Sequence, residues 1–468
     1  MPRRHGPGTT VFERRAPSAT AVEHALTDAA HEVFWLDGLN RPDHPELVGP
    51  HAADLVIVGA GYTGLWTAIR AKERDPGRRV ILVEAGQVGW AASGRNGGFC
   101  EASLTHGEEN GRSRWPQEYD QLERLGRENL ADLEATVGRY RMDVELERTG
   151  TLSVATEEHQ IAWLAEESGF LDGPSTRALV DSPTYLAGCW DPHGTALVHP
   201  GKLAVELARV ATDLGVQIFE WSRVEAVDDG PVVRTARGEV HADQVVLATN
   251  VFPSLLRRNR LQTVPVYDYV LVTEPLGTEL AAIGWQGRQG VADLANHFHY
   301  YRLTDDNRIL FGGYDAVYHW GGNVRPAYED RPATYATLAS HLLTTFPQLE
   351  GVRISHRWAG AIDTCSRFCA FFGVARQGRV AYAAGFTGLG VGASRFAGDV
   401  MLDLLGGLPT ERTELAMVRE RPLPFPPEPL ASLGIRLTDW SMHRADRHQG
   451  RRNVLLRALD AVGMGFDS

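Results

Sequence analysis

Lysine is nearly missing from this sequence. Lys72 and Lys202 are the only two, so arginine supplies 45 of the 47 basic residues. Chemistry that needs an ammonium group from the protein has only these two positions to draw on. Cysteine is scarce as well. Cys100, Cys189, Cys365 and Cys369 have the spacing of neither a zinc site nor a disulfide framework, so no metal is expected. Positive charge is in deficit, with a formal net charge of −12. That argues against a nucleic-acid partner, which needs a basic surface, and mildly favours a cationic small molecule. No apolar run approaches the ~18 to 20 residues a membrane-crossing helix requires. An Arg-, Pro- and Gly-rich stretch covers residues 2–16, but no apolar segment of the signal-peptide kind follows it. The expectation is a cytoplasmic protein with a loose N-terminal arm.

The composition itself is ordinary. Apolar residues make up 43% and charged residues 23% of 468 residues, enough chain for two or three domains. The first informative motif begins at Asp54. Residues 54–58 form a short β-branched apolar run suited to a buried parallel strand. It leads into Gly59-Ala-Gly61-Tyr62-Thr63-Gly64 and then a helical pattern with Leu65, Ala68, Ile69 and Lys72. Residues 80–83 read as a second strand, ending at Glu84. Gly59 allows the tight turn, Gly61 lets a pyrophosphate approach the backbone, and Gly64 lets helix and sheet pack closely. The helix N-terminus offers free N–H groups to phosphates. Glu84 stands where a carboxylate binds both ribose hydroxyls, which disfavours a 2′-phosphate and hence NADP.

Two further segments favour FAD over NAD. Ser93-Gly94-Arg95-Asn96-Gly97-Gly98 reads as a loop against which an extended cofactor lies, with Arg95 and Asn96 as donors. Near the C-terminus a strand at 380–384 feeds Gly385-Phe386-Thr387-Gly388-Leu389-Gly390 and a helix from 394 to 405. Such a helix entry aims N–H donors at the pyrimidine edge of a flavin. Between them lie a helical face (Leu203, Leu207, Val210, Leu214), a segment at Arg223-Val224 and a strand through 244–250 that returns to the first sheet.

Residues 58–65, 92–98, 247–250 and 385–390 resemble the D-amino-acid oxidase superfamily, and most of all its γ-glutamylputrescine oxidase-like branch. Phe34-Trp-Leu-Asp37 and Phe425-Pro-Pro-Glu-Pro429 are similar to that branch too. The resemblance implies an α/β protein, α+β overall. A discontinuous Rossmann-like FAD-binding domain is joined to a second, antiparallel-sheet substrate domain. The expected layout is an arm (1–50), FAD segments at 51–105, 196–262 and 355–410, substrate segments at 106–195 and 263–354, and a tail (411–468). Tyr62, Thr63, Ala85, Val224, Thr249 and Asn250 complete the candidate cofactor contacts. The implied activity is FAD-dependent oxidation of a C–H beside an amine nitrogen, with O2 as reoxidant.

Two departures from the family pattern bear on substrate. Amino-acid oxidases carry a carboxylate-clamping Arg where this chain has Ile362, and Asp363 follows in place of Pro. Asp363 is therefore read either as an ammonium ligand or as a turn cap. No lysine fits above the flavin, so a non-oxygen acceptor stays open. Substrate-side candidates on the roofing strands and beside them are Tyr267, Tyr269, His297, His299, Tyr300 and Trp358, with His297 and His299 on one face and Tyr300 on the other. A His near neutrality suits deprotonation of the substrate ammonium. An amine is the preferred substrate. The alternative, an N-substituted or α-amino acid, needs another clamp such as Arg302 or Arg357. Cys100 is a candidate for covalent flavin attachment. The oligomeric state and the role of 411–468 are left open.

Overall fold

The computed structural model describes residues 8–461. Two sheets dominate. In the first, strands run in the order Phe371–Ala375, Val380–Ala384, Gly238–Leu247, Gly49–Val58, Val80–Val83 and Gln217–Phe219. All neighbours are parallel except the antiparallel edge strand Phe371–Ala375. The hairpin Val224–Asp228 and Val232–Thr235 extends from Gly238–Leu247. Strand periodicity explains why Gly49–Val58 is central: Leu55 and Ile57 enter one core, Val56 and Val58 the other. Helices Tyr62–Arg74, Pro200–Asp213 and Gly390–Gly406 cover the first of these cores.

The second sheet has nine strands and is antiparallel apart from one parallel pair, Gly290–Asp293 with Thr151–Ala155. Its long members are Thr263–Thr273 and Ile354–Cys365, paired from Thr263↔Cys365 to Thr273↔Ile354. Tyr267, Tyr269 and Leu271 pack beneath the helix Pro332–Thr345, where Tyr335, Leu338 and Leu342 are buried as the apolar spacing predicts. The intervening Val264, Val266 and Asp268 face a cavity.

Three expectations change. The layout gives residues 355–410 wholly to the FAD domain, yet Ile354–Cys365 hydrogen-bonds along its length to the second sheet. The changeover falls after Cys365, because a twelve-residue strand extends the roof before the chain turns back. The segment read as an open loop at 93–98 contains a helical turn, Ala92–Arg95. The N-terminal arm is not loose over its described part. Helices Val11–Arg14 and Ala19–Leu26 lie on the body, Arg14 pairs with Glu157 at 2.8 Å, and the Phe12 ring stacks 4.4 Å from His341. A Phe12→Ala variant is expected to lose about 3 kcal/mol of stability, the cost of a buried aromatic cavity. Thermal unfolding followed by circular dichroism checks it.

Beyond the third FAD segment, helices Leu430–Arg447 and Val454–Ala461 fold back over the cavity. No helix among the described residues is long and apolar enough to cross a membrane.

Candidate functional site

A cavity of about 610 Å³ lies between the two sheets. Its floor is built by the three glycine-rich segments. Gly59 has φ of 108°, and a Cβ there would sit 2.5 Å from the Ala248 carbonyl oxygen. At Gly64 a Cβ would lie 1.9 Å from the Gly59 carbonyl oxygen. Both positions therefore exclude any side chain. Gly61, by contrast, faces the Ser93 hydroxyl, which accepts the Tyr62 N–H at 2.9 Å. Tyr62, Thr63, Ser93 and Gly97 reach the cavity wall, as do Asn250, Thr387, Gly388, Leu389 and Gly390.

The site fits an FAD on four observations. The N-caps of Tyr62–Arg74 and Gly390–Gly406 are Gly61 and Leu389, and neither caps its helix with a side chain. The free N–H groups at Gly390–Gly406 open toward the cavity, as a negative locus requires. Glu84 is buried at the end of the second strand, held by N–H donors from Ala60 (2.7 Å), Gly86 (2.8 Å) and the Trp90 indole (2.8 Å). One of its oxygens takes a single donor and keeps a lone pair for a ribose hydroxyl. Asn250 Oδ1 is buried at the wall with no hydrogen-bond partner among the described residues, an acceptor left for a ligand.

Other candidate cofactor residues shape the floor without reaching the cavity. Gly94 and Gly98 press against the Gly89 and Val198 carbonyls. Gly385 meets Phe371 and Cys365, Thr249 follows the strand Gly238–Leu247 and Val224 opens its hairpin. Ala85 is exposed beside Glu84. The donors expected of Arg95 and Asn96 are spent on the chain. Arg95 binds Glu329 at 2.6 Å and the Trp90 and Ala359 carbonyls. The Asn96 amide clamps Ala92, Ser93 and Gly98. The Asn96 partners are local, whereas Glu329 and Ala359 reach Arg95 from far along the chain.

Residues 54–404 match the model of the FAD dependent oxidoreductase family, DAO. The chain belongs to this family. It is 32% identical to the gamma-glutamylputrescine oxidoreductase of Escherichia coli over 377 residues, covering 76% of this chain and 84% of that one. An OrdL oxidoreductase of Haemophilus influenzae is 29% identical over 396 residues, 80% and 88% of the two chains. Among solved structures, glycine oxidase from Geobacillus kaustophilus superposes with a TM-score of 0.64 at 20% identity, covering 77% of this chain and 96% of its own. The L-amino acid deaminase of Proteus vulgaris gives 0.63 at 19%, covering 80% and 97%. These two establish the fold.

The substrate side of this FAD-dependent oxidoreductase differs from the sequence expectation. His299 turns away from the cavity into a buried chain, bonding Asp293 at 2.6 Å and His341 at 2.9 Å. Trp358 is buried against Trp35 and Val270, its indole donating to the Arg95 carbonyl at 2.8 Å. Neither touches the cavity, because their faces pack against the arm. Tyr267 and Tyr269 donate to the Arg325 and Tyr328 carbonyls and serve the roof. His297 reaches the rim, between Asp439 (3.0 Å) and Asp446 (3.4 Å). Burial opposes its charge, but hydrogen bonds donated to these two carboxylates hold its pKa up at about 9. His297, Asp439 and His443 offer three metal donors. The two imidazoles, however, stack parallel at 3.7 Å, which keeps two lone pairs from converging on one ion.

Asp363 is a turn cap within the wall. It accepts the Gly385 N–H at 2.5 Å, and burial pushes its carboxyl up to about 7. Tyr300 does line the cavity, and it leads to the residue that sequence reasoning missed. Its hydroxyl donates to Asp268 at 2.5 Å, and the Gly313 N–H donates to the other carboxylate oxygen at 3.1 Å. Burial raises Asp268 to about 6. Strand alternation was the available signal, since an acid between Tyr267 and Tyr269 must face the opposite side.

The proposed clamps are elsewhere. Arg302 is buried on the Val198 and Leu303 carbonyls, and Arg357 lies over the Tyr335 ring near Asp330. The arginines that do reach the cavity, Arg95 and Arg452, pair with Glu329 and Asp460. Both lysines are engaged: Lys72 Nζ donates to the Pro76 and Arg78 carbonyls, and Lys202 pairs with Asp143 and Glu145. Cys100 sits in the core, its thiol raised by burial to about 12, so it is unsuited to flavin attachment.

Proposed function

We propose that this FAD-dependent oxidoreductase oxidises an amine at the carbon beside nitrogen. The observation that carries the reading is the half-buried Asp268–Tyr300 pair on the cavity wall, with every wall arginine already engaged by an acid. A cationic group finds a partner there, while an α-carboxylate finds no free guanidinium fork.

Bound FAD supplies the acceptor for a hydride from the substrate C–H. Asp268 holds the ammonium by a charge-assisted hydrogen bond and accepts one of its protons, freeing the nitrogen lone pair. Tyr300 stays neutral, held well above its ordinary pKa by burial and the Asp268 charge, and fixes the carboxylate in place. Loss of one proton and one hydride from a primary ammonium gives an iminium, and water then yields an aldehyde and ammonium. The relatives' printed activities, gamma-glutamylputrescine oxidoreductase among them, support amine chemistry. We read O2 as the electron acceptor and the cytoplasm as the setting, where four free thiols persist.

The test is anaerobic bleaching of flavin absorbance by an amine and by the α-amino acid with the same side chain. The amine is expected to bleach at least about tenfold faster at equal concentration, the usual scale when a carboxylate enters a site without a clamp. Admitting air should restore the yellow colour. Faster bleaching by the amino acid refutes the reading in favour of an amino-acid oxidase.

A further inference from the structure

The family match ends at residue 404, yet one wall of the cavity is built from residues beyond it. Helix Leu430–Arg447 presents Gly434, Ile435 and Met442, and helix Val454–Ala461 presents Leu455, Leu456 and Leu459. The two charged residues that line the cavity from this same stretch, Asp439 and Arg452, are paired with His297 and Asp460. Leu456 is buried and Ile435, Met442, Leu455 and Leu459 are half-buried, so the wall is packed rather than draped.

The wall is also fastened. Asp439 and Asp446 of the first helix bracket His297. Asp446 takes the Asn296 N–H at 2.9 Å as well. At the helix start, Glu428 accepts from the Tyr318 hydroxyl at 2.6 Å and the Gly321 N–H at 3.1 Å. Of the other acids on the lining, Asp439 is engaged by His297, Asp315 by the Thr334 hydroxyl at 2.7 Å and Asp363 by the Gly385 N–H, while Glu101 belongs to the strand Phe99–Glu101 and not to this wall. A second ammonium group on a substrate therefore meets no unpartnered carboxylate on this side.

We propose that the two C-terminal helices form the tail subsite of the cavity, and that the substrate is a monoamine with an apolar chain or ring. The proposal rests on the amine reading and narrows it. Asp268 receives the ammonium end, and the wall of Ile435, Met442 and the three leucines removes the tail from water. Polar amines and α,ω-diamines gain nothing there.

The experiment uses the flavin-loaded full chain in two measurements. The first follows anaerobic bleaching by linear monoamines and by α,ω-diamines of matching length. The second follows perturbation of flavin absorbance by amines with no hydrogen on the carbon beside nitrogen, which bind without reacting. KM for monoamines and Kd for the inert amines are expected to fall about three- to fourfold per added methylene until the cavity is full. Diamines should bind more weakly than monoamines of equal length. A Gly434→Phe variant narrows the subsite. A Cβ at Gly434 meets nothing within 4 Å, and the helix loses a glycine, so folding is not at risk. Its KM for hexylamine should rise at least about tenfold, and that for ethylamine should stay within about twofold.

Bleaching without dependence on tail length, diamines equal to monoamines, or an unchanged profile in Gly434→Phe each overturns the subsite and leaves amine oxidation standing. Tail-dependent Kd without bleaching by any amine keeps the subsite and refutes the oxidation.

Discussion

An Asp268→Asn variant is expected to keep its FAD and lose about two to three orders of magnitude in the second-order rate of anaerobic flavin reduction by an amine. The substitution keeps the shape that Tyr300 and Gly313 hold in place (2.5 and 3.1 Å) but removes the charge and the proton acceptor. General-base removal alone costs about 10²- to 10⁴-fold. A pH profile separates this from simple misfolding. Burial raises the Asp268 carboxyl to about 6, so the carboxylate is present above that pH and lost below it. The wild-type rate should therefore climb as pH rises through about 6, while the variant should show no such limb. A variant that retains the limb assigns it to another group. Retention of both rate and limb removes Asp268 from the mechanism.

Gly64→Ala is expected to abolish FAD binding. The added methyl would lie 1.9 Å from the Gly59 carbonyl oxygen and 3.2 Å from Ile57 Cγ2. The nearer group is backbone, so no rotamer change relieves the contact. Helix Tyr62–Arg74 must move off strand Gly49–Val58, carrying its N-terminus away from the cavity. A loss of about 4 kcal/mol or more follows for a clash of this kind. Flavin absorbance relative to protein absorbance reads the first effect and thermal unfolding the second. Gly138→Ala is the control, since a Cβ there meets nothing within 4 Å. It should leave both readings unchanged. A yellow Gly64→Ala protein of normal stability would overturn the packing argument.

The FAD half of the molecule was legible because its signals are local. Glycine spacing, the β-branched run at 54–58 and the acid at 84 all lie within one strand–helix–strand unit. The strands Val80–Val83 and Val380–Ala384 lie where their apolar patterns place them. Substrate-side roles were harder to read because they depend on contacts distant in sequence. His299 looked like a cavity residue until Asp293 and His341 claimed both its nitrogens. Arg95 looked like a cofactor donor until Glu329 reached it from 234 residues away. Asp268 was overlooked beside two tyrosines, although those tyrosines fix which way it points. In the tail only Phe425-Pro-Pro-Glu-Pro429 carried a resemblance, and only the folding back of helices Leu430–Arg447 and Val454–Ala461 shows that they line the cavity.

The shortage of lysine has a consequence for chemical durability. Oxidation of primary amines releases aldehydes, which condense with exposed ε-amino groups to form Schiff bases. This chain offers them little. Lys72 is buried with its Nζ between two carbonyl oxygens, and Lys202 is tied to two acids. Guanidinium groups, which stay protonated, make up the rest of its cationic surface. A catalyst built this way can stand in its own carbonyl product without being tanned by it.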